Sequence, residues 1–144
     1  IELKLVLHSV FEDLFQEYKN VHPKMYFIFQ KSKNDFVFTD ICPELLNLSL
    51  QKQDDLVGKS VDTALHIGDK ATRKKLKQLY TLAWNQKKVL YYYFPYKNPD
   101  IFIITYLEPQ NDHNQVTKVI GHCMPVYKKD LQSPLRHVDQ FLSF

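Results

Sequence analysis

The side chains able to do chemistry in this chain are few and scattered. His122 and Cys123 adjoin in "GHC", and both residue types ligate transition metals. Adjacent residues of a strand point to opposite faces, so this pair is badly placed to share one ion, and Cys123 reads as core. His66 stands just before a helical pattern, where a capping or surface role is expected. Carboxylates are dispersed, and HExxH, GxGxxG and GxxxxGK[ST] are absent, as is any local Ser/His/Asp signature. The chain therefore reads as a non-enzymatic domain with no metal site. Cys42 and Cys123 form no CxxC and read as reduced thiols, not as a disulfide framework.

Two clusters remain. Lys70, Arg73, Lys74, Lys75 and Lys77 crowd one helical stretch. They suit either an anionic partner or a solvated helix face. The net charge is only +3 and no aromatics interleave the basic residues, so the solvated face is favoured and no nucleic acid is expected. The run "YYYFPY" (91–96), with Tyr80 and Trp84, could line a pocket or fill a core. Small-ligand pockets are themselves apolar and aromatic, so both readings call for the same residues.

The elements that would position these groups follow from periodicity. Leu3, Val6, Leu7, Val10, Phe11, Leu14, Phe15 and Tyr18 keep helical spacing, which predicts an amphipathic N-terminal helix over 1–22. "MYFIFQ" and "FVFTDI" predict two strands joined at "KSKND". Pro43 suits the first position of a short helix, Gly58 a break, and Ser60 the cap of another short turn, "SVDTAL". Asp69 is the expected N-cap of the longest internal helix, with Leu76, Leu79, Tyr80 and Ala83 on one stripe and Trp84 beside it. "KVLYYYFPY", "IFIITYLE" and "VTKVIGHCMPV" predict three closing strands. Pro109 is expected to end the second of them, "QNDHNQ" to be the loop, and Gly121 to leave room for a helix or ligand. Leu131, Leu135, Val138 and Leu142 predict a C-terminal helix over 131–144. Strands, then helices, then strands indicate an α+β fold: one five-stranded antiparallel sheet with helices on one face and flanking terminal helices.

The length of 144 residues suits one domain, here 23–130, between the two terminal helices. The 44% hydrophobic and 24% charged content is that of an ordinary globular chain. No apolar stretch approaches the ~20 residues of a membrane span, and no signal peptide is recognised, so a cytoplasmic location without membrane attachment is expected. A start at Ile1 and the apolar end "FLSF" suggest a domain excised from a longer protein. In the last strands Phe102, Ile104 and Tyr106 alternate with Ile103, Thr105 and Leu107, so both sheet faces are apolar and the second needs a cover. The N-terminal helix could supply it through Leu3, Leu7, Val10, Phe11 and Leu14, either on its own sheet or in a homodimer.

The element order and several motifs over about residues 25–127 resemble the PAS domain. "DLVGKS" (55–60) resembles the turn after the family's short helices. "ALHIGD" (64–69) resembles its step into the long helix. Pro109 and Gly121 fall where the family has a strand end and a central-strand glycine. The resemblance implies sheet order 2-1-5-4-3 and a pocket between helices and sheet. Here the candidate lining is His66, Tyr80, Trp84, Tyr91, Tyr93, Ile103, Thr105, Gly121 and Cys123. It also implies a sensory module of a bacterial signalling protein, taking a small ligand or partner and relaying to an absent effector; the alternative is a ligand-free dimerisation scaffold. Haem-binding relatives place an axial His near the position of His66. The cofactor stays open. Cys42 lacks the "NCRFLQ" context of photoactive relatives, and the residues argue against both haem and flavin.

Overall fold

A hairpin, a helical crossover and a three-stranded meander organise the chain. A computed structural model describes residues 25–130 together with Asp13, Gln16 and Glu17. Strand β1 (Tyr26–Ser32) turns through Lys33 and Asn34 into β2 (Asp35–Ile41). Two short helices follow, α1 (Pro43–Leu48) and α2 (Gln53–Leu56), and then α3 (Lys70–Trp84). The sheet is completed by β3 (Val89–Tyr93), β4 (Ile101–Asp112) and β5 (Gln115–Tyr127). A single 3-10 turn, Lys128–Asp130, follows β5. All neighbouring strands are antiparallel, in the order β2-β1-β5-β4-β3.

Local chemistry explains most boundaries. Pro43 opens α1, where its missing N–H is no loss. Asp69 caps α3 by accepting from the Thr72 N–H at 2.8 Å, and that bond holds its carboxyl below the ordinary range. Leu76, Leu79, Tyr80 and Ala83 form the buried stripe of α3. Gly58 has φ +83, and nothing crowds a side chain there, so conformation alone demands glycine. Its N–H donates to the Phe38 carbonyl, and the Phe38 N–H donates to the Lys59 carbonyl. The "DLVGKS" turn is thereby docked on β2.

Three expectations are corrected. Pro109 does not end β4, which runs on to Asp112. Pairing with β3 stops at Val89 and Leu107, so Pro109 lies where β4 is an edge, a position that tolerates a missing donor. The β4–β5 loop is not the six residues "QNDHNQ" but His113 and Asn114 alone. Both have positive φ, as a two-residue hairpin turn requires. Gly121 makes room for neither helix nor ligand. It faces Phe27 across the β1–β5 ladder, and an added Cβ would overlap that ring. The residues after Ser60 form the expected short turn, with the Ser60 and Thr63 hydroxyls each accepting from the other's backbone N–H.

β4 is buried on both faces from Ile101 to Thr105. Phe27, Phe29, Val89, Tyr91, Ile103, Leu107, Val119 and Cys123 join the helices in the main core. Leu90, Phe102, Ile104 and Met124 are buried outside that cluster. The expected N-terminal helix lies outside the described residues except for Asp13, Gln16 and Glu17, which are helical and exposed. The expected C-terminal helix lies outside them altogether. Among the described residues no helix is long and apolar enough to cross a membrane.

Replacing Gly121 by Ala should cost about 1–3 kcal/mol, because the Phe27 ring must shift within a packed sheet. Urea unfolding measures this. In a Phe27→Leu background the same change should cost clearly less, and equal costs would place the constraint elsewhere.

Candidate functional site

The sheet register sets the centre of the site. Tyr91 pairs with Thr105, and Thr105 pairs with Cys123. A phenol, an alcohol and a thiol therefore stand in one row across β3, β4 and β5. Tyr93 and Ile103 pair two residues along on the same face. Against this row α3 brings Leu76 and Tyr80, one turn apart on its buried stripe. Together they border a cavity of about 70 Å³. Phe27, Phe38 and Ile41 close it from β1 and β2, Leu45 and Leu56 from α1 and α2, and Ser49, Gln51 and Ile67 from the connecting loops.

The polar groups of the lining are neighbours. The Tyr80 and Tyr91 hydroxyls influence each other electrostatically, and Thr105 acts on Tyr91 in the same way. Thr105 Oγ1 lies 3.7 Å from Cys123 Sγ, which also approaches the Gly121 carbonyl at 3.7 Å. Burial raises Tyr80, Tyr91 and Tyr93 well above the ordinary phenol value, and pushes the Cys123 thiol up to about 12. All four are neutral at physiological pH, and the lining has no acidic or basic side chain.

One wall is a loop tied down by side chains. Arg73 donates Nε to the Gly68 carbonyl at 3.0 Å and Nη1 to those of Ala64, at 3.0 Å, and Val61. Tyr93 donates its hydroxyl to the Ile67 carbonyl, and Asn98 Nδ2 donates to that of Leu48 at 2.8 Å. Leu50 and His66 both take left-handed backbone, φ 57 and 61, a strained choice for such side chains. The Leu50 side chain is 56% exposed, while the next residue, Gln51, turns inward. Gln51 Nε2 approaches the His66 carbonyl at 3.4 Å, and its Oε1 is buried with no partner among the described residues.

Of the residues expected at a pocket, Tyr80, Tyr91, Tyr93, Ile103, Thr105 and Cys123 border the cavity. Trp84 does not. It lies one turn past Tyr80 and packs edge-on to Phe36 at 6.1 Å. Gly121 is covered by Phe27. The His66 ring stacks on Tyr96 at 6.1 Å, and only the His66 carbonyl reaches a lining residue. Gln51 was not anticipated, since "LQKQDD" carries no periodic signal and the turn at Leu50 alone aims it inward. The basic cluster also divides. Lys70, Lys74 and Lys75 are exposed and Lys77 pairs with Asp62 at 2.8 Å, but Arg73 is committed to loop carbonyls. His122 faces Glu108 at 3.4 Å, apart from Cys123. Among the described residues no three His, Cys, Asp or Glu side chains gather as metal ligands would.

No family model matches the sequence, and no curated protein matches it. A solved light-oxygen-voltage domain, studied with a flavin analogue, superposes with a TM-score of 0.59 at 11% identity, covering 89% of this chain and 95% of that one. A domain of an HTR-like protein from Haloarcula marismortui gives a TM-score of 0.48 at 12% identity, covering 70% and 97%. Strand order, helix placement and the first of these superpositions give the chain a PAS-like fold.

The cavity groups link stability to alkaline pH. Cys123 ionises at an ordinary value of 9.0 when unfolded and near 12 when folded. Its contribution is fully present below pH 9 and is lost as pH rises toward 12, because only the unfolded chain releases the proton there. The three tyrosines add the same trend above their ordinary 10.0. Stability from chemical denaturation should fall from about pH 9 upward. Cys123→Ala should delay the onset to the tyrosine range, and an unchanged profile would contradict the burial of the thiol.

Proposed function

We propose that this domain is a sensory module. It takes a small ligand or partner in the cavity between α3 and the sheet, and relays occupancy through its terminal segments to an effector. The supporting observation is the row of Tyr91, Thr105 and Cys123 set by the sheet register, met by Tyr80, beside a cavity within a PAS-like fold. A filled core has no need of such groups, since apolar residues of the same shape would pack there without hydrogen bonds to satisfy. Relay would be a population shift, limited to the ligand's differential affinity for two arrangements of the terminal helices. We place the domain in a cytoplasmic bacterial signalling protein, with residues 1–22 as a dimerising helix, 23–130 as the sensor and 131–144 leading to a kinase, a cyclic-dinucleotide enzyme or a DNA-binding domain. No catalytic role is assigned to it.

A ligand-free dimerisation scaffold is the second reading. It is favoured by the aromatic cluster of Phe27, Phe29, Phe36, Phe38 and Tyr80, which fills the β1–β2 half of the core. The N-terminal helix would then serve through Leu3, Leu7, Val10, Phe11 and Leu14 as the interface.

Native mass spectrometry with an absorption spectrum separates the readings. A colourless protein carrying an extra small mass is expected for the sensor, whereas a bare apo mass with no response to added small molecules favours the scaffold. A Soret or flavin band would overturn the expectation of a colourless ligand. Deleting residues 1–18 should abolish any dimer, and a surviving dimer would place the interface elsewhere.

A further inference from the structure

Gln51 is the lining residue with a buried side-chain polar atom that has no hydrogen-bond partner among the described residues. Its amide orientation is set by chemistry, because only Nε2 can donate to the His66 carbonyl. Oε1 is therefore the free end, buried with no partner among the described residues. A buried acceptor without a donor is costly, and Leu50 is held in left-handed backbone where the chain turns this side chain inward. The rest of the lining narrows what could satisfy it. The walls are mainly Phe, Ile, Leu and Tyr, and no side chain could balance a ligand charge. A volume of about 70 Å³ holds roughly two waters, or a molecule of two or three heavy atoms.

We propose that the cavity takes a small uncharged molecule that donates a hydrogen bond to Gln51 Oε1 and lays a short apolar body against Ile103 and Leu76, the chemistry of a short-chain alcohol. This rests on the sensory reading of the same cavity. An ion is disfavoured by the lining, and a molecule of equal size without a donor would leave Oε1 unsatisfied.

Ethanol and its isomer dimethyl ether test this directly, since they share a formula and only the alcohol donates. The full chain is titrated with each while the Ile103 methyl resonances are followed by NMR. The alcohol should produce a saturable millimolar shift and bind about tenfold more tightly than the ether. Gln51→Leu should bring the two affinities together. Gln51→Met serves if the leucine variant fails to fold, and the wild-type comparison needs no variant. Equal affinities in the wild type would overturn the donor requirement while leaving a ligand cavity in place. An alcohol preference that survives loss of Gln51 would overturn the assignment of the acceptor. No response to either probe would overturn the proposal, while the sensory reading would still stand or fall on the bound mass seen by native mass spectrometry.

Discussion

The position of the Tyr80 side chain holds the two halves of the domain together. Its ring stacks on Phe29 at 4.2 Å and meets Phe36 and Phe38 edge-on, so α3 is anchored to the β1–β2 hairpin by offset and T-shaped contacts. Its hydroxyl is electrostatically coupled to that of Tyr91, the first of the polar row. One amphipathic residue thus ends the aromatic core and begins the cavity. Phenylalanine would keep the first role and lose the second. Leucine would keep neither.

The same economy governs the central strand. β5 lies between β1 and β4, and its residues alternate between the cavity side and the opposite face. At Gly121 the Phe27 ring lies over bare backbone, and two residues on Cys123 reaches Thr105. Gly121 lets a large ring from β1 lie flat at one end of the cavity wall, and Cys123 supplies the thiol end of the polar row. His122, on the other face, is drawn to Glu108 and takes no part. Strand pairing thus sorts three adjacent residues into three roles that their types alone would not separate.

The loop between α2 and α3 differs in character from the sheet it covers. It is held by side chains, Arg73 and Tyr93 above all, donating to backbone carbonyls. It also contains His66 in left-handed backbone. A wall tied by a few polar bonds opens at lower cost than a strand ladder does, and opening there would expose Gln51 and Ile67. That places a wall held by side-chain bonds, not by a ladder, beside the candidate ligand group.

Much of this was legible from local rules. Helical spacing of Leu76, Leu79, Tyr80 and Ala83, the cap at Asp69, the two apolar faces of β4 and the α+β order of elements are properties of chain geometry and side-chain polarity. The strand arrangement β2-β1-β5-β4-β3 was implied by the resemblance to the PAS family, not by any local rule. Six of the nine expected pocket residues border the cavity because period-two alternation in strands, and one turn of helix, already assign a face. What failed was whatever depends on a distant neighbour. Trp84 and Tyr80 lie on nearly the same stripe, and only the positions of Phe36 and Tyr91 decide which one meets the cavity. Pro109 looked like a strand end because the length of β3 beside it cannot be read locally. Gly121 was legible as a required space, but what fills that space depends on the β1–β5 register. Gln51 carried no signal at all, since a glutamine in a polar run becomes a buried acceptor only when the backbone at Leu50 turns it inward beneath a loop fifteen residues away. Local periodicity decides which face a residue shares, whereas the tertiary structure decides what waits on that face, because packing partners come from elements far apart in the chain.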